Sequence, residues 1–450
     1  MKRLALVLAI AVVGTLTCQS LWAESRVRVY ADVDRPVVLA GHDVSIVIKV
    51  GLSGVLDGSR LERLPLNVTI VLDKSGSMGS DAKMWNAKRG AIEVVERLNS
   101  DDVMALVVYD SAPRVVIPAQ RVRDKDALIE MISSIDPGGR TALYGGVRMG
   151  ADQVRRHISW EYENRIILLS DGLANVGPSS TEDLARLGEE LGEDGITVTT
   201  IGVGTDYNED LMTALADRSG GNAYFASTSS TLPRIFSEEI GEAMTVAARE
   251  VRIRVYCTEG VRPISILGRD GTISGRSMSV TIGKIYGKND KFALFEVQVP
   301  KEASGRVLDV ADVSVEYGDP HTNQRFSESR RVTIEYSEDE RAASENRNKQ
   351  VTKEVALTKT SELKQEAVSL ADRGDYAGAA SLIRKSAFEL ENAAKQCDND
   401  KEILGEVETC EAISQDITAN QGLTKHQRKQ VVNQVYTQTK QQTYVPKDKE

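Results

Sequence analysis

The spacing of apolar side chains changes along the chain and divides it into segments. Residues 27–50 contain two runs in which apolar and polar positions alternate, which is typical of half-buried strands. Residues 65–245 instead alternate short apolar runs with stretches of helical spacing, which predicts a parallel sheet covered by helices. Strand-like alternation returns over residues 249–337, and helical spacing follows over residues 354–420. The predicted fold class is an α/β domain with a doubly wound, mostly parallel six-stranded sheet, inserted in or flanked by an all-β sandwich and followed by an α-helical hairpin.

Two N-terminal strands cannot form a stable unit by themselves, so residues 24–64 need partners from elsewhere in the chain. We hypothesise that they complete the sandwich of residues 249–337, which makes the α/β domain an insertion between sandwich strands. Within that domain, Ser80 and Asp81 are predicted to cap the first helix, whose apolar stripe begins at Met84.

The C-terminal third is predicted to be less regular. Residues 338–353 are rich in charge and are expected to form a linker. Residues 354–420 resemble one tetratricopeptide-type helical hairpin, broken at residues 374–376, and a single hairpin is too small for a repeat array. Residues 421–450 are rich in Gln and Lys and are predicted to be a flexible tail.

The first 23 residues have the pattern of a secretory signal peptide. Lys2 and Arg3 precede an apolar stretch, and Ala23 closes an imperfect cleavage site. The alternative, a lipid anchor at Cys18, is disfavoured because Leu16 and Thr17 make a poor lipobox. No later apolar run reaches the ~20 residues of a transmembrane helix. We therefore expect an exported protein, periplasmic or secreted.

Export places the remaining cysteines in an oxidising compartment. Cys397 and Cys410 flank a short polar turn between helical segments, and we expect a disulfide between them. Cys257 falls on the apolar face of an alternating strand, so a buried and inert thiol is the expected state.

The most informative stretch is an apolar strand that stops at a polar loop. Val68 to Leu72 is a run of β-branched and aliphatic residues, as in a strand buried on both faces. Asp73, Ser75 and Ser77 follow at alternate positions, and Gly76 allows the backbone to turn between them. Three oxygen-bearing side chains at the carboxyl end of a central strand indicate a site for a hard divalent cation.

Two further segments complete this pattern. GGRTALYGG places Thr141 in a glycine-rich loop before a helix, and RIILLSDG ends a second buried strand at Asp171. Together with the D-x-S-x-S sequence, these segments resemble the von Willebrand factor A domain and its metal-ion-dependent adhesion site. The resemblance implies that the metal ligands are Asp73, Ser75, Ser77, Thr141 and Asp171. The flanking β segments resemble those of bacterial secreted proteins distantly similar to inter-α-trypsin inhibitor heavy chains.

The ligand set predicts the chemistry of the site. Only two of the five side chains are anionic, so a bound divalent cation keeps residual positive charge. Hard oxygen ligands suit Mg²⁺, with Mn²⁺ and Ca²⁺ as alternatives. The resemblance implies that an Asp or Glu of a protein partner completes the metal shell. We therefore predict a non-enzymatic adhesion or assembly protein of the bacterial cell envelope.

Other functions receive less support from the sequence. A net charge of −10 without a basic stripe argues against nucleic acid as a partner. The four histidines show no metal-binding spacing, and neither a G-x-S-x-G nor a phosphate-binding-loop sequence is present, which disfavours a metal-dependent hydrolase. An envelope assembly factor that makes its main contact through the helical end remains the alternative.

Overall fold

The computed structural model describes residues 26–55, 63–287, 289–444 and 446, so the predicted signal peptide lies outside the described residues. The described chain begins with three strands: β1 (Val27–Val33), β2 (Val37–Leu39) and β3 (Val44–Gly54).

An α/β domain follows these strands. Its sheet is built from β4 (Leu66–Asp73), β5 (Val103–Tyr109), β6 (Pro113–Arg121), β7 (Glu163–Ser170), β8 (Thr197–Val203) and β9 (Ala223–Ala226). Its helices are α1 (Lys83–Arg97), α2 (Lys125–Ser133), α3 (Leu143–Arg155), α4 (Thr181–Glu193), α5 (Glu209–Ser219) and α6 (Leu232–Ala243). The strand order is β6-β5-β4-β7-β8-β9, and only the β5–β6 pair is antiparallel. This confirms the predicted mostly parallel six-stranded sheet. Apolar clusters on both of its faces bury the central strands β4 and β7.

The chain then returns to antiparallel β structure. The strands are β10 (Val246–Cys257), β11 (Arg262–Leu267), β12 (Gly271–Ser274), β13 (Ser277–Tyr286), β14 (Asp290–Val299), β15 (Val307–Gly318) and β16 (Arg325–Ser337). One sheet has the order β1-β3-β14-β11 and the other β12-β13-β10-β15-β16-β2. Strands from before the α/β domain therefore lie in both sheets of the sandwich, and the alternating apolar residues of both segments form one core.

The α/β domain leaves and rejoins the sandwich at a single place. Gly54, at the end of β3, forms a bridge with Gly287. Thr245, just before β10, accepts a hydrogen bond at its carbonyl from the amide of Gly287, with N···O 2.6 Å. In this structure the domain is an insertion whose two ends are close together, and β10 shows register shifts against β13 and β15 where the chain re-enters the sandwich.

The C-terminal region is more ordered than the sequence predicts. It contains α7 (Glu340–Glu345), α8 (Lys349–Asp372), α9 (Tyr376–Gln396), α10 (Lys401–Asn420) and α11 (Lys425–Lys440). The predicted linker 338–353 is therefore partly helical, and the predicted hairpin 354–420 contains three helices. None of the helices described combines the length and apolar character needed to cross a bilayer.

The flexible tail predicted for residues 421–450 is wrong over most of its length. Thr424 and Gln427 form a capping box at the start of α11. Val431, Val435 and Tyr436 lie on one face of this helix and are buried. The high Gln and Lys content of the segment predicts disorder, and three apolar residues are too few to change that prediction.

The predicted disulfide is also wrong, because the three cysteines of the described chain are free thiols. The Cys397 thiol donates to the Lys349 carbonyl, with S···O 3.4 Å, while Cys410 is buried within α10. Burial raises the pKa of Cys410 to about 11 and likewise raises the pKa of Cys257 to about 11, which agrees with the inert thiol expected at Cys257.

Candidate metal centre

The candidate site lies where β4 and β7 end. These strands are parallel and in register, Leu72 beside Leu169, so Asp73 and Ser170 meet at the same edge of the sheet. The Ser170 hydroxyl donates to Asp73 Oδ2 over 3.0 Å. The next residue, Asp171, then begins the following loop close to the residues that follow β4.

The loop after β4 turns back on its own aspartate. Asp73 Oδ1 accepts a hydrogen bond from the Ser75 amide over 2.8 Å, and a short 3₁₀ helix at Gly76–Gly79 follows. The hydroxyl oxygens of Ser75 and Ser77 are 3.0 Å apart. Ser77 also donates to Asp171 Oδ1 over 2.7 Å. A continuous chain of side-chain oxygens therefore joins the two loops.

Thr141 approaches the same cluster from a third loop. Gly172 locates the Thr141 hydroxyl relative to the cluster. A Cβ atom built at Gly172 would lie 3.5 Å from Thr141 Oγ1 and 3.7 Å from Ser77 Oγ, so both hydroxyls lie close to the same position. Asn175 joins the loop after β7 to the Thr141 loop. Its side-chain Oδ1 accepts a hydrogen bond from the backbone amide of Thr141 over 3.0 Å, and its backbone amide donates to the Thr141 carbonyl over 3.1 Å. The structure thus brings together all five side chains that the sequence predicts as ligands.

The Thr141 loop is fixed to the first loop by its backbone. The Gly138 amide donates to the Lys74 carbonyl over 2.6 Å, and the Gly76 amide donates to the Gly139 carbonyl over 3.2 Å. Gly139 has φ +90°, and a Cβ there would lie 2.7 Å from Cβ of Asp110. A glycine is therefore required at position 139, for its backbone conformation and for this close approach.

The two carboxylates of the site are deeply buried, with Asp73 and Asp171 exposing 0% and 1% of their surface. Burial raises the pKa of Asp73 to about 6. Hydrogen bonds from Ser75 and Ser170 oppose this shift, and the neighbouring Asp171 charge reinforces it. Two neighbouring buried carboxylates favour the binding of a cation at this site.

The donor set fits a hard divalent cation. It consists of hydroxyl and carboxylate oxygens alone, the ligands that Mg²⁺ and Ca²⁺ take. Among the residues described, no cluster of three or more His, Cys, Asp or Glu side chains offers a different kind of metal site. A cation would therefore be held by the five candidate ligands, which are Asp73, Asp171 and the three hydroxyl residues beside them.

Sequence reasoning missed three residues that shape the site. Ser170 and Asn175 lie in the segment that ends at and follows β7, and strand register could have indicated Ser170. No sequence pattern indicated Lys83, whose Nζ lies 2.8 Å from Asp171 Oδ2.

The predicted helix cap at Ser80 and Asp81 is wrong, since Ala82 is the N-cap and no side chain caps α1. Lys83 is consequently the first helical residue.

Comparison with known proteins agrees with this geometry. Residues 67–238 match the model of the von Willebrand factor type A domain. The uncharacterized protein YfbK of Escherichia coli is 29% identical over 43% of this chain, which spans only 34% of YfbK. The uncharacterized protein sll0103 of Synechocystis sp. is 24% identical, and the alignment covers 72% of this chain and 78% of that protein.

More distant similarities are found as well. Inter-alpha-trypsin inhibitor heavy chain H2 of Mesocricetus auratus is 24% identical over 43% of this chain and 22% of its own length. The structure of a von Willebrand factor type A protein from Catenulispora acidiphila superposes with TM-score 0.68 at 17% identity, covering 93% of this chain and 98% of that one. That structure shares the fold of nearly the whole chain. The chain therefore contains a von Willebrand factor type A domain at residues 67–238.

Proposed function

We propose that the A domain binds Mg²⁺ at Asp73, Ser75, Ser77, Thr141 and Asp171 and thereby binds a carboxylate of a protein partner. The observation that carries this proposal is the convergence of these side chains, from three loops, on one edge of the sheet. Proteins with this domain are mostly adhesion and interaction proteins rather than enzymes.

The composition of the site explains how a partner would be recognised. Two of its ligands are carboxylates and three are neutral hydroxyls, so the protein does not fully neutralise a divalent cation. When bound, the cation supplies Lewis acidity for an oxygen ligand from outside. Leu173, two residues after Asp171, exposes 59% of its surface and offers an apolar contact beside that position. The site thus combines a polar anchor with adjoining contact area, as protein-binding sites commonly do.

The metal dependence is tested with the full chain and Ser75→Ala. Because Ser75 supplies a hydroxyl and orders the loop through its hydrogen bonds, we expect its loss to weaken Mg²⁺ binding by at least about tenfold, ~1.4 kcal/mol. Isothermal titration calorimetry measures this, with Ser134→Ala as the control because the Ser134 hydroxyl donates to the Met131 carbonyl at the end of α2. Unchanged Mg²⁺ affinity in Ser75→Ala would refute the assigned ligand.

The partner is sought by pull-down from cell-envelope extract with and without EDTA. We expect binding that is lost with EDTA and in Ser75→Ala. Binding that survives both treatments but disappears when α8–α10 are removed would place the contact on the helical region instead.

We also propose that the chain is exported to the bacterial periplasm or beyond, on the basis of the pattern in residues 1–23. N-terminal sequencing of the mature protein from fractionated cells tests this. A mature chain that starts after Ala23 is expected, and one that keeps Met1 in the cytoplasmic fraction would contradict export.

A further inference from the structure

Lys83 lies in direct contact with one of the five candidate ligands. Its side chain is 13% exposed, and its Nζ is 2.8 Å from Oδ2 of Asp171, whose side chain is fully buried. Asp171 Oδ1 faces Ser77. One carboxylate oxygen of this ligand is therefore directed at the hydroxyl cluster and the other at a lysine.

The helix dipole and the backbone conformation of the preceding residues both disfavour a lysine at position 83. It is the first residue of α1, and the positive end of the helix dipole disfavours a cation there. The two preceding residues, Asp81 and Ala82, both have φ +52°, a left-handed conformation that costs free energy in residues other than glycine. The pairing with Asp171 offsets these costs.

Neighbouring side chains hold this strained turn in place. Ser229, just before α6, donates its hydroxyl to the Asp81 carbonyl over 2.7 Å. Asn86, one turn into α1, donates its side-chain amide to the Ser229 hydroxyl over 2.9 Å. Position 204, at the end of β8, is a glycine, and a Cβ there would lie 3.8 Å from Lys83 Nζ. The hydrogen bonds of Ser229 and Asn86 thus hold the turn from which Lys83 projects, and the Lys83 ammonium group lies beside Gly204.

Lys74 shows that a lysine near the site does not have to contact its ligands. It follows Asp73 directly in sequence, yet its ammonium group pairs with Asp110, outside the hydroxyl cluster. The contact between Lys83 and Asp171 is therefore a property of that position and its turn.

We propose that Lys83 is a built-in cation that competes with the divalent metal for Asp171 and so lowers the metal affinity of the site. This inference rests on the proposed function. The ammonium group supplies one positive charge beside Asp171, so a divalent cation entering the same site meets repulsion and a ligand oxygen that is already paired. Metal binding then requires Lys83 to leave Asp171, and the site fills only at higher metal concentration than its ligands alone would need.

Lys83→Gln removes the charge while keeping a polar side chain of similar length. We expect the full-length variant to bind Mg²⁺ at least about tenfold more tightly than the unmodified chain, ~1.4 kcal/mol, by isothermal titration calorimetry. Lys83→Arg keeps the charge and should retain the original affinity. Lys88→Gln is the matched control on the same helix, because Lys88 donates to the Ser133 carbonyl away from the site.

Thermal unfolding gives a second measurement that does not depend on a partner. In EDTA, Lys83→Gln should melt at a lower temperature than the unmodified chain, because Asp171 loses its buried counter-charge. Added Mg²⁺ should raise the melting temperature of Lys83→Gln more than that of the unmodified chain. Both signs follow from competition, and a purely structural lysine would lower stability with and without metal alike.

The possible results separate this inference from the proposed function. Tighter binding by Lys83→Gln supports competition, including the case in which the unmodified chain shows no measurable binding. Equal or weaker binding by Lys83→Gln, with normal binding by the unmodified chain, overturns the competition and leaves the metal site standing. Absence of Mg²⁺ binding in both proteins overturns the metal site and the competition together.

Discussion

Arg165 shows how a single residue connects two parts of this molecule. It is 1% exposed at the start of β7 and forms ion pairs with Glu163 and Glu239, the latter on α6. It also donates to the Tyr286 hydroxyl of β13 over 2.6 Å. Lys284, on the same strand as Tyr286, pairs with Glu163. Charges from the A domain and the sandwich thus share one buried network at the point where the domains join.

Removing Arg165 should be costly, because buried carboxylates would lose their partner. We expect Arg165→Ala to lower the free energy of unfolding by about 3–5 kcal/mol. Urea denaturation followed by circular dichroism measures the change. The control is Arg186→Ala, whose exposed pair with Asp183 should contribute less than about 1 kcal/mol. Equal effects of the two substitutions would show that the network does not stabilise the junction.

At the scale of elements, α11 covers the open edge of the A-domain sheet. The outer strand β9 presents backbone groups of Ala223, and these bond with the side chains of Asn433 and Gln442. The Tyr436 hydroxyl donates to the Gly221 carbonyl over 2.7 Å. An uncovered edge strand would be a site for aggregation, so α11 protects this edge.

Tyr436 lies more than 200 residues from Gly221 in sequence, yet it should stabilise the A domain through this contact. We expect Tyr436→Ala to lower the free energy of unfolding by about 3 kcal/mol, since it removes a buried ring and its hydrogen bond. Denaturant unfolding tests this, together with hydrogen exchange of β9, which should become faster. Lys425→Ala, which removes an exposed surface pair with Asp206, is the control and should change little.

The docking of α11 should weaken in acid. Burial raises the pKa of Glu209, but hydrogen bonds and charge from Lys429 and Arg428 outweigh this and leave the pKa below its usual 4.5. The folded state then binds fewer protons than the unfolded state in the acid range. The stabilisation by Glu209 is complete above the unfolded pKa and is lost as pH falls through the folded pKa.

Hydrogen exchange of α11 measures this dependence. After correction for intrinsic exchange, protection of α11 should fall below about pH 4.5 in the unmodified chain. In Glu209→Gln the same acidification should cause a smaller loss, because residue 209 no longer titrates. Equal pH dependence in both proteins would assign the effect to other groups.

At the scale of the whole molecule, the sandwich is interrupted by the A domain but does not depend on it for strands. Ile46, Ile48, Val50 and Leu52 of β3 are fully buried in the sandwich core. The ends of the insertion meet beside Gly287. A chain in which residues 56–245 are replaced by a short Gly-Ser linker should therefore retain a folded sandwich.

The matched deletion should have the opposite outcome. Removing residues 26–55 deletes β1, β2 and β3 and leaves the edge of β14 that pairs with β3 without its partner. This deletion should unfold the sandwich while leaving the A domain folded. Circular dichroism and proton NMR of the two proteins test this pair. A folded sandwich without residues 26–55 would contradict the arrangement seen here.

Features that depend on neighbouring residues in the chain could be predicted from the pattern of side chains. Period-two and helical apolar patterns predicted the order of domains. The oxygen-bearing residues after β4 predicted a cation site at the carboxyl edge of the sheet, and the resemblance to the A domain added Thr141 and Asp171 to the expected ligands. Features that depend on distant partners required the folded chain. Lys83 reaches Asp171 because Ser229 holds a strained turn, α11 is ordered because β9 and α5 accept it, and Cys397 and Cys410 are held by separate neighbours. Such contacts join residues far apart in sequence, and no local pattern of side chains encodes them.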